Sequence, residues 1–119
     1  MEEGSIAALP PVNIKELEEA LEVEGAREIA AGFMEDVANV PSRLTTAIQE
    51  KNKNEARSAA HLLKGCCLII FSKQTAELAS DMEKAAIAED FAQCETLLPS
   101  LLASLDETIQ CLQNYLDEC

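Results

Sequence analysis

At 119 residues the chain is the size of one ordinary domain, and with 48% hydrophobic residues and only four Gly and four Pro it is neither disordered nor collagen-like. A net charge of −13 argues against nucleic acid, whose binding relies on Lys and Arg neutralising phosphates. No apolar run approaches the roughly 20 residues needed to span a bilayer, and the start MEEGSIAALPP lacks the basic residues of a signal peptide, so the expected location is cytoplasmic, with no membrane contact.

Residues 1–12 read as a flexible leader ended by Pro10 and Pro11, and residues 13–119 as one helical domain. Asn13 followed by Glu16 resembles a capping box, and Ile14, Leu17, Ala20 and Leu21 give a short amphipathic helix. Gly25 is expected to separate it from a second segment, in which Ile29, Phe33, Val37, Leu44 and Ile48 keep helical spacing to about residue 50. Pro41 should kink or split that segment, because it removes a backbone donor.

EKNKN at 50–54 reads as a turn, and a third helix follows from about residue 54 to 71. Ser72 is placed to cap a fourth helix, with Leu78, Met82 and Ala86 facing inward. After a turn at 88–90, the last helix carries Phe91, Cys94, Leu97, Leu98, Leu101, Leu105, Ile109, Leu112 and Leu116, with Pro99 a candidate bend. The expected fold is all-α: an antiparallel up-and-down four-helix bundle, with the short additional N-terminal helix covering one end. Cys66, Cys67, Cys94, Cys111 and Cys119 form an odd set without CxxC, which fits reduced, mostly buried thiols better than disulfides or a zinc site. With a single histidine, no metal site is expected.

That histidine, His61, lies in the one basic stretch of an acidic chain. Residues 51–73 hold Lys51, Lys53, Arg57, Lys64 and Lys73 against Glu55 alone. At about 100° per residue, Ala59, Leu63, Cys66 and Ile70 point away from His61 and, flanked by Ala56, Ala60 and Cys67, form the core stripe. Arg57, Lys64, Gly65, Leu68 and Ser72 share the side of His61. The ring is therefore a surface residue, either idle or working.

Three neighbours favour work. A neutral imidazole offers one nitrogen lone pair as nucleophile. Lys64, at i+3, can set an ammonium beside any anion attached there. Gly65, at i+4, clears the adjacent surface for a partner at a cost of roughly 1 kcal/mol of helix propensity. Leu68 is then an exposed apolar contact for that partner, unless the short first helix covers it. Arg57, one turn earlier, either assists the anion or is simply solvated.

The segment AHLLKGCC (60–67) resembles the His-x-x-Lys-Gly signature of histidine-containing phosphotransfer (HPt) domains, the carriers of bacterial and plant phosphorelays. Phe33 to Leu44, with its internal proline, resembles the family's second helix, and Leu78 to Glu83 its helix after the active site. IAEDFAQCETLLPSLLASL (87–105) resembles its final turn and helix. The resemblance implies that His61 is phosphorylated through Nε2, that Lys64 neutralises the phosphoryl group, and that Gly65 admits the partner. Arg57, Leu68 and Phe71 are the further candidates for docking. Many family members have a polar residue at Ile69 and a glycine at Phe71, so the bulky Phe71 is a departure that bears on which partners fit.

The implied partners are receiver domains of response regulators and hybrid histidine kinases, with Mg²⁺ on the receiver and no cofactor bound by this chain. The sequence has no phosphate-cradling glycine loop and no Walker or kinase signature, so a carrier without autonomous kinase activity is expected; the resemblance also implies a monomer. The initial Met and the finished last helix suggest a freestanding protein. Two alternatives stand beside this: a degenerate bundle that docks receivers without accepting phosphate, and a helical scaffold or dimerisation module with an incidental histidine.

Overall fold

The computed structural model describes residues 10–118. Among these described residues, five helices follow one another: α1 (Ile14–Asp36), α2 (Val40–Gln49), α3 (Lys53–Ile69), α4 (Lys73–Ile87) and α5 (Phe91–Asp117). Of the expected leader, residues 1–9 lie outside the described residues. Pro10 is exposed, but Val12 is already buried, so packing starts before the capping residue.

Asn13 does cap α1, its side chain accepting the Glu16 amide at 3.0 Å. The short first helix and the start of the second are the two arms of α1, bent at Glu22 (φ 64°, ψ 172°) rather than at Gly25. That backbone region is strained for any residue but glycine. Gly25 serves the bend differently. A Cβ there would come within 3.2 Å of Leu21 Cβ, so its missing side chain allows the arms to fold tightly together.

Pro41 splits the long segment: α1 ends at Asp36, and Pro41 sits in the first turn of α2, where its missing N–H costs no intrahelical bond. The next three turns share one construction. Lys51, Phe71 and Glu89 each take a left-handed conformation (φ 53°, 59° and 57°) just past a helix end. In each, the following amide reaches back to the helix: Asn52 to the Ala47 carbonyl at 2.8 Å, Ser72 to Cys67 at 2.9 Å and Asp90 to Ala85 at 2.9 Å. Asn52 and Asp90 then cap the next helices through their side chains. Ser72 holds the corresponding position without a side-chain cap.

Turns this short force neighbouring helices antiparallel, and the bundle follows: α1 and α2 make one interrupted limb, and α3, α4 and α5 the other three. Helix α5 runs on through Pro99 to Asp117. The most extensive pairing is α3 with α4. Small buried residues are frequent on both helices: Ala56, Ala59 and Ala60 on α3, and Ala76, Ala79, Ala85 and Ala86 on α4. Leu63, Met82, Leu101, Leu105 and Leu112 fill the interior.

Two polar devices fix α5. Ser72 is buried rather than on the side of His61, because α3 stops at Ile69 and the turn carries Ser72 inward. Its hydroxyl pairs with Thr108 at 2.9 Å, while Thr75 pairs with Thr108 at 3.0 Å and with Ser104 at 2.6 Å. These hydroxyls satisfy one another in an interior where a lone one would be costly. At the far end, Arg27 donates to the Tyr115 carbonyl at 3.2 Å and the Leu116 carbonyl at 2.6 Å, and its guanidinium lies 5.5 Å from the centre of the Tyr115 ring. Among the described residues, no helix is long and apolar enough to cross a membrane.

Candidate functional site

The facing of α3 follows from its sequence. Ala56, Ala59, Ala60, Leu63 and Cys67 are buried, as the stripe requires, whereas Cys66 is only half-buried at its edge. The opposite side presents His61, whose side chain is 64% exposed. Gly65 is exposed, and a Cβ on it would meet nothing within 4 Å. Leu68 is 55% exposed, so the first helix does not cover it. Arg57 is exposed one turn before His61. Phe71 stands apart from this group: it lies beyond the end of α3 and is half-buried, packed against the core.

The close α3–α4 seam brings in a residue that the sequence reading left without a role. Glu83 of α4 reaches across to α3, and its Oε2 accepts a hydrogen bond from His61 Nδ1 at 2.9 Å. Its other oxygen, Oε1, is 3.3 Å from Lys64 Nζ. Only 13% of the Glu83 side chain is exposed, against 32% of Lys64. Burial pushes the Glu83 carboxyl up, but the hydrogen bonds from His61 and Lys64, together with the charges of both, outweigh it and hold the group below its ordinary value. The carboxylate is thus ionised at neutral pH, and Nδ1 must be the donor. A signal was available: Glu83 borders the inward stripe of Ala79, Met82 and Ala86, where an acid calls for a partner.

The geometry defines the chemistry open to the ring. With Nδ1–H engaged by Glu83, a neutral ring has its lone pair on Nε2. Lys64 lies one turn along, and the smooth surface at Gly65 leaves room for another molecule. Beside this face, Ile29, Gly32, Phe33 and Asp36 of α1 and Cys66 and Ile69 of α3 line a shallow apolar cleft of about 80 Å³. Ile69 is 57% exposed there, so the apolar surface near the histidine extends past Leu68 toward α1. Burial raises the Cys66 thiol, with the Asp36 charge adding to it, and pushes the Cys67 thiol up to about 12. Neither is poised as a nucleophile. Among the described residues, no group of three or more His, Cys, Asp and Glu side chains is placed to hold a metal ion.

No curated protein sequence matches the chain significantly. Among solved structures, histidine-containing phosphotransfer protein B (HptB) from Pseudomonas aeruginosa PAO1 superposes with a TM-score of 0.83, over 94% of this chain and 99% of that one, at 16% identity. At that identity the match speaks for the fold, a helical bundle of the same arrangement. The model of the Hpt domain matches residues 11–118, from just before the cap of α1 to the residue after α5, and the chain therefore belongs to the Hpt domain family.

Proposed function

We propose that the protein is a phosphorelay carrier that accepts a phosphoryl group on Nε2 of His61 from a receiver-domain aspartate and passes it to another receiver. Hpt domain proteins are phosphocarriers of this kind and work with receiver domains. The observation that carries the assignment to His61 is its hydrogen bond to Glu83, which leaves Nε2 as the nucleophilic atom of an exposed, neutral ring.

Transfer requires in-line attack, with charge stabilised on the equatorial oxygens. The Nε2 lone pair attacks phosphorus as the bond to the aspartate oxygen breaks, and the carboxylate leaves with both electrons. Lys64, one turn along α3 from His61, neutralises the arriving group. Gly65 and the exposed Leu68 give the receiver a flat contact beside the nucleophile. The receiver brings the aspartyl phosphate and its Mg²⁺.

The test is incubation with a phosphorylated receiver, followed by intact-mass analysis at neutral or alkaline pH. A gain of one phosphoryl group, lost on acid treatment and absent in His61→Gln, is the expected result. Binding without a mass gain would favour a docking protein that no longer takes phosphate.

A further inference from the structure

The Glu83 carboxylate is divided between two donors: Oε2 takes the Nδ1–H of His61 and Oε1 faces the Lys64 ammonium. This arrangement changes when Nε2 carries a phosphoryl group. A ring bonded to phosphorus at Nε2 and still protonated at Nδ1 is formally cationic. If it loses that proton it becomes neutral, and the next transfer would have to expel an imidazolate, a far more basic and poorer leaving group than neutral imidazole.

We infer that Glu83 keeps the Nδ1 proton on His61 while Nε2 is phosphorylated, so that the ring leaves as neutral imidazole in the next transfer. This rests on the proposed carrier function. The step balances without exchange of protons with solvent. An acceptor oxygen attacks phosphorus, the N–P bond breaks with both electrons returning to Nε2, and the ring's positive charge is cancelled while Nδ1–H stays bonded to Glu83.

The surroundings make the hold tighter in the loaded state. On α3 the charged neighbours are Lys64 and Arg57, both cations, which disfavour a cationic ring. On α4 the charge in contact is Glu83. Asp36, on α1, lies near Cys66. In the empty state Lys64 offsets part of the Glu83 charge. A phosphoryl dianion on Nε2 draws Lys64 toward itself, and the full carboxylate charge is then left to Nδ1–H.

Phosphoramidate, a small N–P donor, loads the histidine without any partner protein. The loaded wild type, Glu83→Gln and Glu83→Ala are followed by phosphorus NMR from about pH 5 to about pH 9; His61→Gln identifies the resonance by its loss. Glutamine retains an oxygen to accept Nδ1–H but not the charge. The expected result is a titration midpoint of the phosphohistidine lower by about one unit in Glu83→Gln, and at least as much in Glu83→Ala. Hydrolysis, and transfer to a receiver, should then be up to about tenfold slower above both midpoints and equal below them. An unmoved midpoint, or a uniform slowing at every pH, overturns the inference and leaves Glu83 a purely structural support. If the loaded wild type gives its phosphoryl group to no receiver, the carrier function fails instead, while the ring titration still decides the role of Glu83.

Discussion

The guanidinium of Arg27 donates to the carbonyl of Leu116 at 2.6 Å, joining the second arm of α1 to the last turn of α5. Helix α5 has no basic residue in its own last turn, so Arg27 supplies from another helix the positive charge that end of the dipole favours. Next to it the Tyr115 hydroxyl donates to Glu18 at 2.7 Å, on the arm before the bend, so both arms are fastened to the same turn. Two carbonyls accept from one planar fork, a geometry that lysine does not reproduce. Arg27→Ala is expected to destabilise the fold by about 1–3 kcal/mol. Arg27→Lys should recover only part of this, as measured by urea denaturation. Equal stability of the three proteins would show that the latch contributes nothing.

The left-handed residues give a second prediction. Lys51 is exposed at φ 53°, and Phe71 is half-buried at φ 59°. A side chain in this region costs roughly 1–2 kcal/mol relative to glycine. Lys51→Gly should therefore raise stability by about 1 kcal/mol, with little side-chain packing to lose. Phe71→Gly gives up ring packing, so its fair comparison is Phe71→Ala, which gives up the same ring. Of that pair the glycine variant should be the more stable by about 1 kcal/mol. The reverse order in thermal unfolding would mean that the turn is not held left-handed in solution.

Much of this was legible in the sequence, and for physical reasons. Helical periodicity and the cap at Asn13 gave the elements, and the 100° rotation gave the face of α3, because both depend on neighbours within two turns of chain. Pro41 and the polar turns gave the breaks. What failed depends on contacts between distant residues. The bend falls on Glu22 because docked arms impose a conformation that composition alone would assign to Gly25. Ser72 turns inward with the turn that ends α3, and there it pairs with Thr108, 36 residues later. Glu83 meets His61 across 22 residues, where α3 and α4 pack side by side, a contact between two helices that the periodicity of either one does not show.

Gly65 separates stability from docking. A Cβ at this position meets nothing within 4 Å, so Gly65→Leu should fold as well as the wild type or better, by up to about 1 kcal/mol of helix propensity. If a receiver approaches over this face, the added side chain should nevertheless slow transfer at least about tenfold, a loss of about 1.4 kcal/mol in the productive complex. Lys64→Ala is the complementary variant. Its ion pair with Glu83 is partly exposed, so stability should fall by less than about 1 kcal/mol while transfer slows. Unchanged transfer in Gly65→Leu would move the docking surface elsewhere; a collapse of helicity in Lys64→Ala would overturn the facing of α3.

The same carboxylate that holds His61 should leave a mark on acid stability. Glu83 is pushed up by burial but brought below its ordinary value of 4.5 by the hydrogen bonds from His61 and Lys64 and the charges of both. A group with a depressed native value binds protons more weakly in the folded than in the unfolded chain, so the unfolded state gains protons first as pH falls. The stabilisation is therefore complete above the ordinary value and disappears as pH drops through the lower native one. Glu83→Gln removes this titration. Its stability should fall less steeply than that of the wild type below about pH 4.5, with the two curves converging in strong acid. The measurement is urea unfolding at a series of pH values, with Glu55→Gln in parallel. Glu55 is also held low, chiefly by its hydrogen bond from Arg43, but its partner is Arg43 of α2 and not the histidine. Parallel acid limbs in wild type and Glu83→Gln would mean that the Glu83 bridge is not formed in the folded protein, and the arrangement of the His61 ring would need to be drawn again.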